Sequence, residues 1–224
     1  MSLTRLLQLT SPALPVGAYT YSQGLEWAVE TGTVKDEASA LTWIGDQLEW
    51  NLGRFEAPLL ARMIAAWGKN DEAALAELDA HYLASRETAE LRAETLQMGH
   101  SLRRLIGELC DDSLAPIAAS PVAAFPSVWS AIAAAWKLAP ADALAAWLWS
   151  WAENQTMAAL KAVPLGQAAG QRILLDIGGR IPALVERALT LDEDQFSNSL
   201  SNFAPGFAIA CARHETQYSR LFRS

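Results

Sequence analysis

The strongest constraint on the fold is a helical spacing of apolar residues that recurs along the chain. The clearest case places residues suited to one buried face at alternating steps of three and four: Leu91, Thr95, Met98, Leu102, Leu105 and Leu109. This spacing predicts one face of an α-helix. No segment pair shows a sustained period of two or a hairpin signal. The sequence therefore predicts an all-α fold.

Helix-start residues divide the chain into about ten helices. Asp36 can cap a helix that carries Trp43, Gln47 and Trp50 along one side. Pro182 should kink or end the helix that contains it. Cap or first-turn residues indicate further helix starts at Asn70 with Asp71, Pro140, Asp192 and Pro205.

The stretch from 111 to 126 is rich in proline and alanine and could link two domains. Ile117, Val122 and Phe125 give it apolar anchors, which favours an ordered loop inside one domain. We therefore predict a compact single-domain helical bundle over 1–224, with a flexible C-terminal tail at 218–224.

The charge balance disfavours two classes of partner. The 224 residues include 17 basic and 25 acidic side chains, giving a net charge of -8. Nucleic acids and anionic membranes need the opposite balance. The uncharged stretch 113–136 could span a bilayer in length, but its three prolines and weak hydrophobicity argue against a transmembrane helix. With two distant cysteines and no signal sequence, we predict a cytoplasmic protein.

Motifs for catalysis or cofactor binding are missing from the sequence. None of His81, His100 and His214 lies in a recognised nucleophile or zinc-protease motif, and no Walker loop occurs. Cys211 and His214 are three residues apart, but two ligands are too few for a structural metal site. We interpret them as a buried thiol beside a surface imidazole, and predict a protein that is not an enzyme and has no cofactor or resident metal.

Three segments have residue patterns that packing of the fold alone does not readily explain. Residues 14–26 form a glycine-bounded aromatic stretch that leads into a helix. In 161–170 a proline interrupts a helical pattern, and Gly166 and Gly170 would let another element approach closely. Residues 218–224 place apolar and aromatic side chains beside two arginines, as in a docking peptide. Packing on the chain's own domain is the alternative for each, and disorder is a further one for the last.

Together these segments resemble the UreF family of urease accessory proteins. The motifs that carry the resemblance run from Leu-Leu-Gln-Leu near the start through Pro-Val-Gly…Gln-Gly-Leu-Glu, Glu-Thr-Leu-Gln-Met-Gly-His-Ser-Leu (94–102) and Val-Pro-Leu-Gly-Gln (163–167) to Arg-Leu-Phe-Arg-Ser. The resemblance covers nearly the whole chain. It implies an all-α chaperone that binds UreD (also called UreH), recruits the GTPase UreG, docks on apo-urease and supports nickel insertion. It also implies that a homodimer can form.

The resemblance also implies roles for particular residues. It places partner contacts on the loop and the tail, at Tyr19, Tyr21, Ser22, Gly24, Glu26, Arg220, Leu221, Phe222 and Arg223. It places a surface facing the GTPase at Lys161, Pro164, Gly166, Gln167 and Asp176. Relatives often have histidine at the position of Tyr21, and because a phenol is a poor nickel ligand at neutral pH, no nickel role is assigned there.

Two alternatives to the scaffold remain open at this point. One is an independent nickel carrier that uses Cys211 and His214. The other is a helical hydrolase that uses Glu26 with a histidine, although the sequence offers no assembled base and nucleophile.

Overall fold

The computed structural model describes residues 2–224, apart from the side chains of Ser2 and Ala118. Within this range all regular structure is helical, which confirms the all-α prediction, and no helix combines the length and apolar character needed to cross a bilayer. The α-helical segments are α1 Ser2–Leu9, α2 Leu25–Glu30, α3 Glu37–Asp46, α4 Ala57–Lys69, α5 Glu72–Ala84, α6 Ala89–Glu108, α7 Ala115–Ala119, α8 Phe125–Ala135, α9 Pro140–Ala162, α10 Gln167–Thr190, α11 Glu193–Ser199 and α12 Pro205–His214.

Three predicted helix starts are confirmed, and in each the capping side chain bonds to a backbone group only three residues away. Asp36, Asp71 and Asp192 are the N-caps of α3, α5 and α11, and each accepts the backbone N–H three residues on. Asn70 has a different role, because its left-handed backbone (φ 55°) ends α4.

A π-helix at Gln47–Glu56 joins α3 and α4 into one continuous helix over 37–69. The predicted common face of Trp43, Gln47 and Trp50 is wrong, because Gln47 is buried whereas Trp50 is 46% exposed beneath the Arg54 guanidinium. A π-helix places more residues in each turn, so α-helical spacing no longer keeps residues on one side.

The apolar stripe of α6 faces the core as predicted over most of its length. Leu91, Met98 and Leu102 are buried, whereas Leu109 lies at the exposed C-terminal end. The helix packs against α8 and closely approaches the residues that lead into α8. A side chain at Gly99 would overlap the main-chain oxygen of Ala123.

The long helices α9 and α10 pack along each other and are joined by residues 163–166. Trp147 of α9 lies in the core against Trp129, with ring centres 5.4 Å apart, whereas Trp149 is 38% exposed. Pro182 does not end its helix, because α10 continues to Thr190.

The proline-rich stretch belongs to the domain. It contains a 3-10 turn at Asp112–Leu114 and the helix α7, and Ile117 and Val122 are buried. Arg103 of α6 holds the stretch in place by donating to the carbonyl oxygens of Ile117 and Ser120, both at 2.7 Å.

Candidate interaction surface at the C-terminus

The C-terminal segment 215–224 folds back against the loop that precedes α2. The backbone N–H groups of Ser22 and Gln23 donate to the main-chain oxygen of Ser224 at 2.7 and 3.0 Å, and the Ser22 hydroxyl donates to it at 2.6 Å. The backbone N–H of Arg223 donates to Thr20. The two segments predicted to meet partners are thus parts of one structure, although about 200 residues separate them.

The carboxylate of Glu26 holds the middle of this segment. Its two oxygens accept the backbone N–H groups of Leu221 (2.6 Å) and Phe222 (3.0 Å). One of them also lies 3.2 Å from Nε2 of His214, whose Nδ1 is 2.8 Å from Glu90. His214 is fully buried, so its interpretation as a surface imidazole is wrong. The ring can be buried because two carboxylates, one on α2 and one on α6, give both of its nitrogens a polar partner.

Gly24 fixes the position of α12 against this loop. Its backbone is left-handed (φ 76°), and a Cβ there would lie 3.0 Å from the backbone nitrogen of Cys211 and 3.2 Å from the Cβ of Ala210. Only glycine combines this conformation with so close an approach. Packing on the chain's own domain therefore explains the glycine, and Cys211 is buried beneath it.

Glu94 of α6 connects the loop to the end of the chain. Its oxygens accept from the Gln23 amide at 2.7 Å and from the Ser224 hydroxyl at 2.8 Å, and Trp151 donates to Gln23 at 2.7 Å. Burial raises the pKa of Glu94 to about 7, although the hydrogen bonds from Gln23 and Ser224 act in the opposite direction.

A cavity of about 100 Å³ lies beside this carboxyl. Its walls include Tyr19, Gln23, Glu94, Trp151 and Asn154. The side-chain oxygen of Asn154 is buried and has no hydrogen-bond partner within the described part of the chain. A water molecule needs roughly 10–15 Å³ and several polar partners, so this space can hold a small water cluster.

The side chains of the terminal segment divide between two faces. Phe222 and Ser224 are buried, whereas Leu221 is 73% exposed and Tyr218 is fully exposed. The arginines at 220 and 223 are also exposed. Instead of projecting as a flexible tail, residues 218–224 have an anchored inner face and an apolar, basic outer face.

The partner-binding prediction therefore divides into two groups of residues. Direct contact is open to the exposed side chains of the tail and to the half-buried Tyr19. The others would first have to be uncovered, because they are buried at the base of the segment: Tyr21, Ser22, Gly24, Glu26 and Phe222.

Four of the predicted GTPase-facing residues cluster at the connection between α9 and α10. Lys161, Pro164, Gly166 and Gln167 are all exposed there. The Lys161 amino group lies 5.7 Å from the centre of the Phe222 ring, so this cluster adjoins the terminal segment.

Asp176 is separate from that cluster. It lies nine residues beyond Gln167 on α10, about 14 Å along the helix axis, and pairs with Arg180 at 2.8 Å. Gly170 serves internal packing, because a Cβ there would lie 2.8 Å from the side chain of Leu160.

The structure also shows where the residues proposed for a hydrolase and for a nickel carrier lie. Glu26 and His214 do lie together, as a hydrolase would need, but both are buried and both ring nitrogens contact carboxylates, so the pair offers solvent no free base. Within the described range, no three metal-ligating residues are grouped as a metal site.

Glu90, Glu94 and Gln23 were not among the predicted contact residues, although Gln23 and Glu94 lie in motifs that carry the family resemblance. One signal was available for Glu94, because it falls three residues after Leu91 and four before Met98, on the apolar stripe of α6. A carboxylate on a buried helix face is rare unless it has a specific partner. Gln23 and Glu90 carried no such local signal.

The chain is an all-helical domain that displays apolar and basic side chains from a buried, hydrogen-bonded base. A model of the UreF family matches residues 34–178. Urease accessory protein UreF of Azoarcus sp. (strain BH72) is 61% identical across all of this chain and 96% of its own length. That of Dechloromonas aromatica (strain RCB) is 60% identical across all of this chain and 98% of its own.

The chain therefore belongs to the UreF family of urease accessory proteins, whose general role is in urease maturation. This confirms the resemblance seen in the sequence. A longer relative, the bifunctional urease accessory protein UreEF of Bordetella bronchiseptica, is 48% identical over 99% of this chain, which spans 52% of that protein.

Proposed function

We propose that this chain is a non-catalytic cytoplasmic scaffold for nickel insertion into urease. In this proposal it binds a UreD-type (UreH-type) protein, recruits the UreG-type GTPase, docks with them on apo-urease and couples GTP hydrolysis to metal delivery. Family membership supports the role in maturation. The fused UreEF relative supports close contact among accessory proteins in general.

The observation that carries the scaffold proposal is the two-faced terminal segment. Exposed apolar and aromatic side chains flanked by arginines are typical of interface anchors. Here Leu221, Tyr218 and Arg223 are displayed from a base held by Phe222 and Ser224. A preorganised segment loses less conformational entropy on binding than a free tail does.

The second surface of the proposed scaffold is the exposed cluster at the α9–α10 connection. Lys161 supplies a positive charge there, and its contact with Phe222 makes the cluster continuous with the terminal segment. We place the GTPase on this cluster and the UreD-type protein on the outer face of the segment. Asp176 remains a predicted GTPase contact at a distance from the cluster.

Substitution of Leu221 tests the first surface without removing the base. Leu221→Ala should weaken co-purification with the UreD-type protein at least tenfold, because truncating a central anchor costs about 2 kcal/mol or more. Leu175→Ala is the matched control, since Leu175 is 80% exposed on α10. Equal binding by the two variants would remove the terminal segment from the proposed interface.

The independent nickel carrier is the second candidate, and titration of the tag-free chain with nickel distinguishes it. Tight stoichiometric binding lost in Cys211→Ser would support the carrier. We expect weak binding, because the Cys211 thiol is buried and the ring nitrogens of His214 already contact carboxylates. Sedimentation of the same sample tests the predicted homodimer.

A further inference from the structure

Glu94 is a carboxyl that joins the loop, the terminal residue and the cavity. It accepts from Gln23 of the loop and from Ser224 at the end of the segment, and it also lines the cavity. Three separate parts of the structure thus meet at a single ionisable group that the proposed scaffold function does not require.

We propose that Glu94 is a proton-linked lock, which holds the C-terminal segment most firmly when protonated and loosens it when deprotonated. The neutral carboxyl can accept from Gln23 through one oxygen and donate to the Ser224 hydroxyl through the other. Both contacts to the loop and the segment therefore survive without a buried charge. The ionised carboxyl still accepts from Gln23 and from the Ser224 hydroxyl, but it places an unneutralised charge beneath the segment.

The charges around Glu94 leave it without a dedicated counter-ion. The ionisable side chains that influence it or are influenced by it come from four neighbouring parts of the chain: Glu56, Tyr82, Arg86 and Cys211. The only cation among them, Arg86, is 3.0 Å from Glu56 in a buried pair. Its charge is thereby balanced, and Tyr82 and Cys211 can add only negative charge.

The direction of the linkage follows from burial. In the docked state the pKa of Glu94 is raised to about 7, above its ordinary value of 4.5. Release of the segment admits water to the carboxyl, and it also removes the Ser224 hydrogen bond, which lowers the pKa. Because burial is the larger of these two effects, the pKa returns towards the ordinary value. The docked state therefore binds the proton more tightly, and the stability of docking is complete below pH 4.5 and is lost as pH rises through about 7.

The cavity gives the proton a route to and from the carboxyl. Its volume accommodates several water molecules beside Glu94, and the unpartnered oxygen of Asn154 offers them an acceptor. Exchange can then occur without prior release of the segment. Deprotonation would loosen the base beneath Leu221 and Arg223 and expose Ser22 and Glu26.

Hydrogen exchange in the full-length chain measures this lock. Peptides covering 215–224 report protection of the backbone N–H groups of Leu221, Phe222 and Arg223, each expressed relative to the unstructured peptide at the same pH. A one-proton linkage predicts that protection falls roughly tenfold between about pH 6 and pH 7.5 and then levels off. Protection independent of pH in the wild type would overturn the proposal.

Glu94→Gln is the informative variant, because its amide can accept from Gln23 and donate to Ser224 without ionising. We expect high protection that no longer changes across the same pH range. Glu108→Gln, at an exposed position on the same helix, should keep the wild-type pH dependence. An unchanged pH dependence in Glu94→Gln would also overturn the proposal, whatever the partner-binding experiments show.

A measurement on the wild type alone covers the case in which Glu94→Gln does not fold. The indole N–H of Trp151 donates to Gln23, which in turn donates to Glu94. The NMR signal of the Trp151 indole N–H and the side-chain carboxyl signal of Glu94 should shift with the same midpoint near neutral pH. A carboxyl midpoint in the ordinary range for glutamate would contradict the lock.

Discussion

The Lys161 amino group lies 5.7 Å from the centre of the Phe222 ring, within the range of a cation–π contact. This contact joins the α9–α10 connection to the terminal segment. Lys161 is exposed and Phe222 is buried, so the ring is part of the base whereas the charge remains accessible. In the proposed scaffold, we therefore expect a partner that binds Lys161 to respond to the position of the segment.

Lys161→Ala should change GTP turnover by the UreG-type partner within the assembled complex and leave the helix content of this chain unchanged. The reason is that the lysine adds charge to the proposed GTPase surface without supporting the core. Steady-state GTP hydrolysis by the complex is the measurement. Lys35→Ala, at an exposed lysine before α3, is the control, and identical turnover in both variants would exclude Lys161 from that surface.

Glu26→Ala should destabilise the chain by about 3 kcal/mol, because it leaves the buried N–H of Phe222 and the partly buried N–H of Leu221 without an acceptor and removes one partner of the buried His214 ring. Urea denaturation followed by circular dichroism gives the free energy of unfolding. Glu30→Ala, one turn on at an exposed position of α2, should stay within about 0.5 kcal/mol of the wild type. Equal effects would show that the carboxylate does not anchor the segment.

Sequence reasoning succeeded where the physical cause is local. The caps at Asp36 and Asp192 act on backbone groups three residues away, and the stripe of α6 repeats within one helix. The π-helix was missed because its wider turn changes which residues share a face without any marker in composition. The spacing of Trp43 and Trp50 therefore gave a wrong face.

The candidate site was located by sequence, but its arrangement was not. Glycines and aromatic residues singled out the loop and the tail, yet these signals do not distinguish a surface that meets a partner from one that meets the chain's own end. The hydrogen bonds between Ser22 and Ser224 join residues 202 positions apart, and His214 contacts Glu90 on another helix. Such pairings depend on tertiary packing, which no local pattern encodes.

Gly24→Ala and Gly17→Ala form a matched pair that separates backbone strain from close packing. Both glycines have left-handed backbones, with φ of 76° and 79°, but a Cβ at Gly17 would meet nothing within 4 Å. Gly17→Ala should cost about 1 kcal/mol, whereas Gly24→Ala should cost about 2–4 kcal/mol because it also pushes α12 away. Equal unfolding free energies would contradict the close approach.

The two cysteines should differ sharply in reactivity towards iodoacetamide. Cys110 is exposed, whereas Cys211 is buried under Gly24, and burial raises the pKa of the Cys211 thiol well above its ordinary value. Because the thiolate is the reactive form, the native chain should take up one label and the unfolded chain two. Mass spectrometry counts the labels.

Cys110→Ser isolates the second thiol and turns it into a reporter of the segment. Native Cys110→Ser should stay unlabelled, and adding Glu26→Ala should make Cys211 react, because α12 and the segment share the contact between His214 and Glu26. Rapid labelling of Cys211 in the otherwise unchanged native chain would mean that α12 is not held against α2. Slow labelling even with Glu26→Ala would mean that Gly24 and the helix contacts hold α12 without the carboxylate.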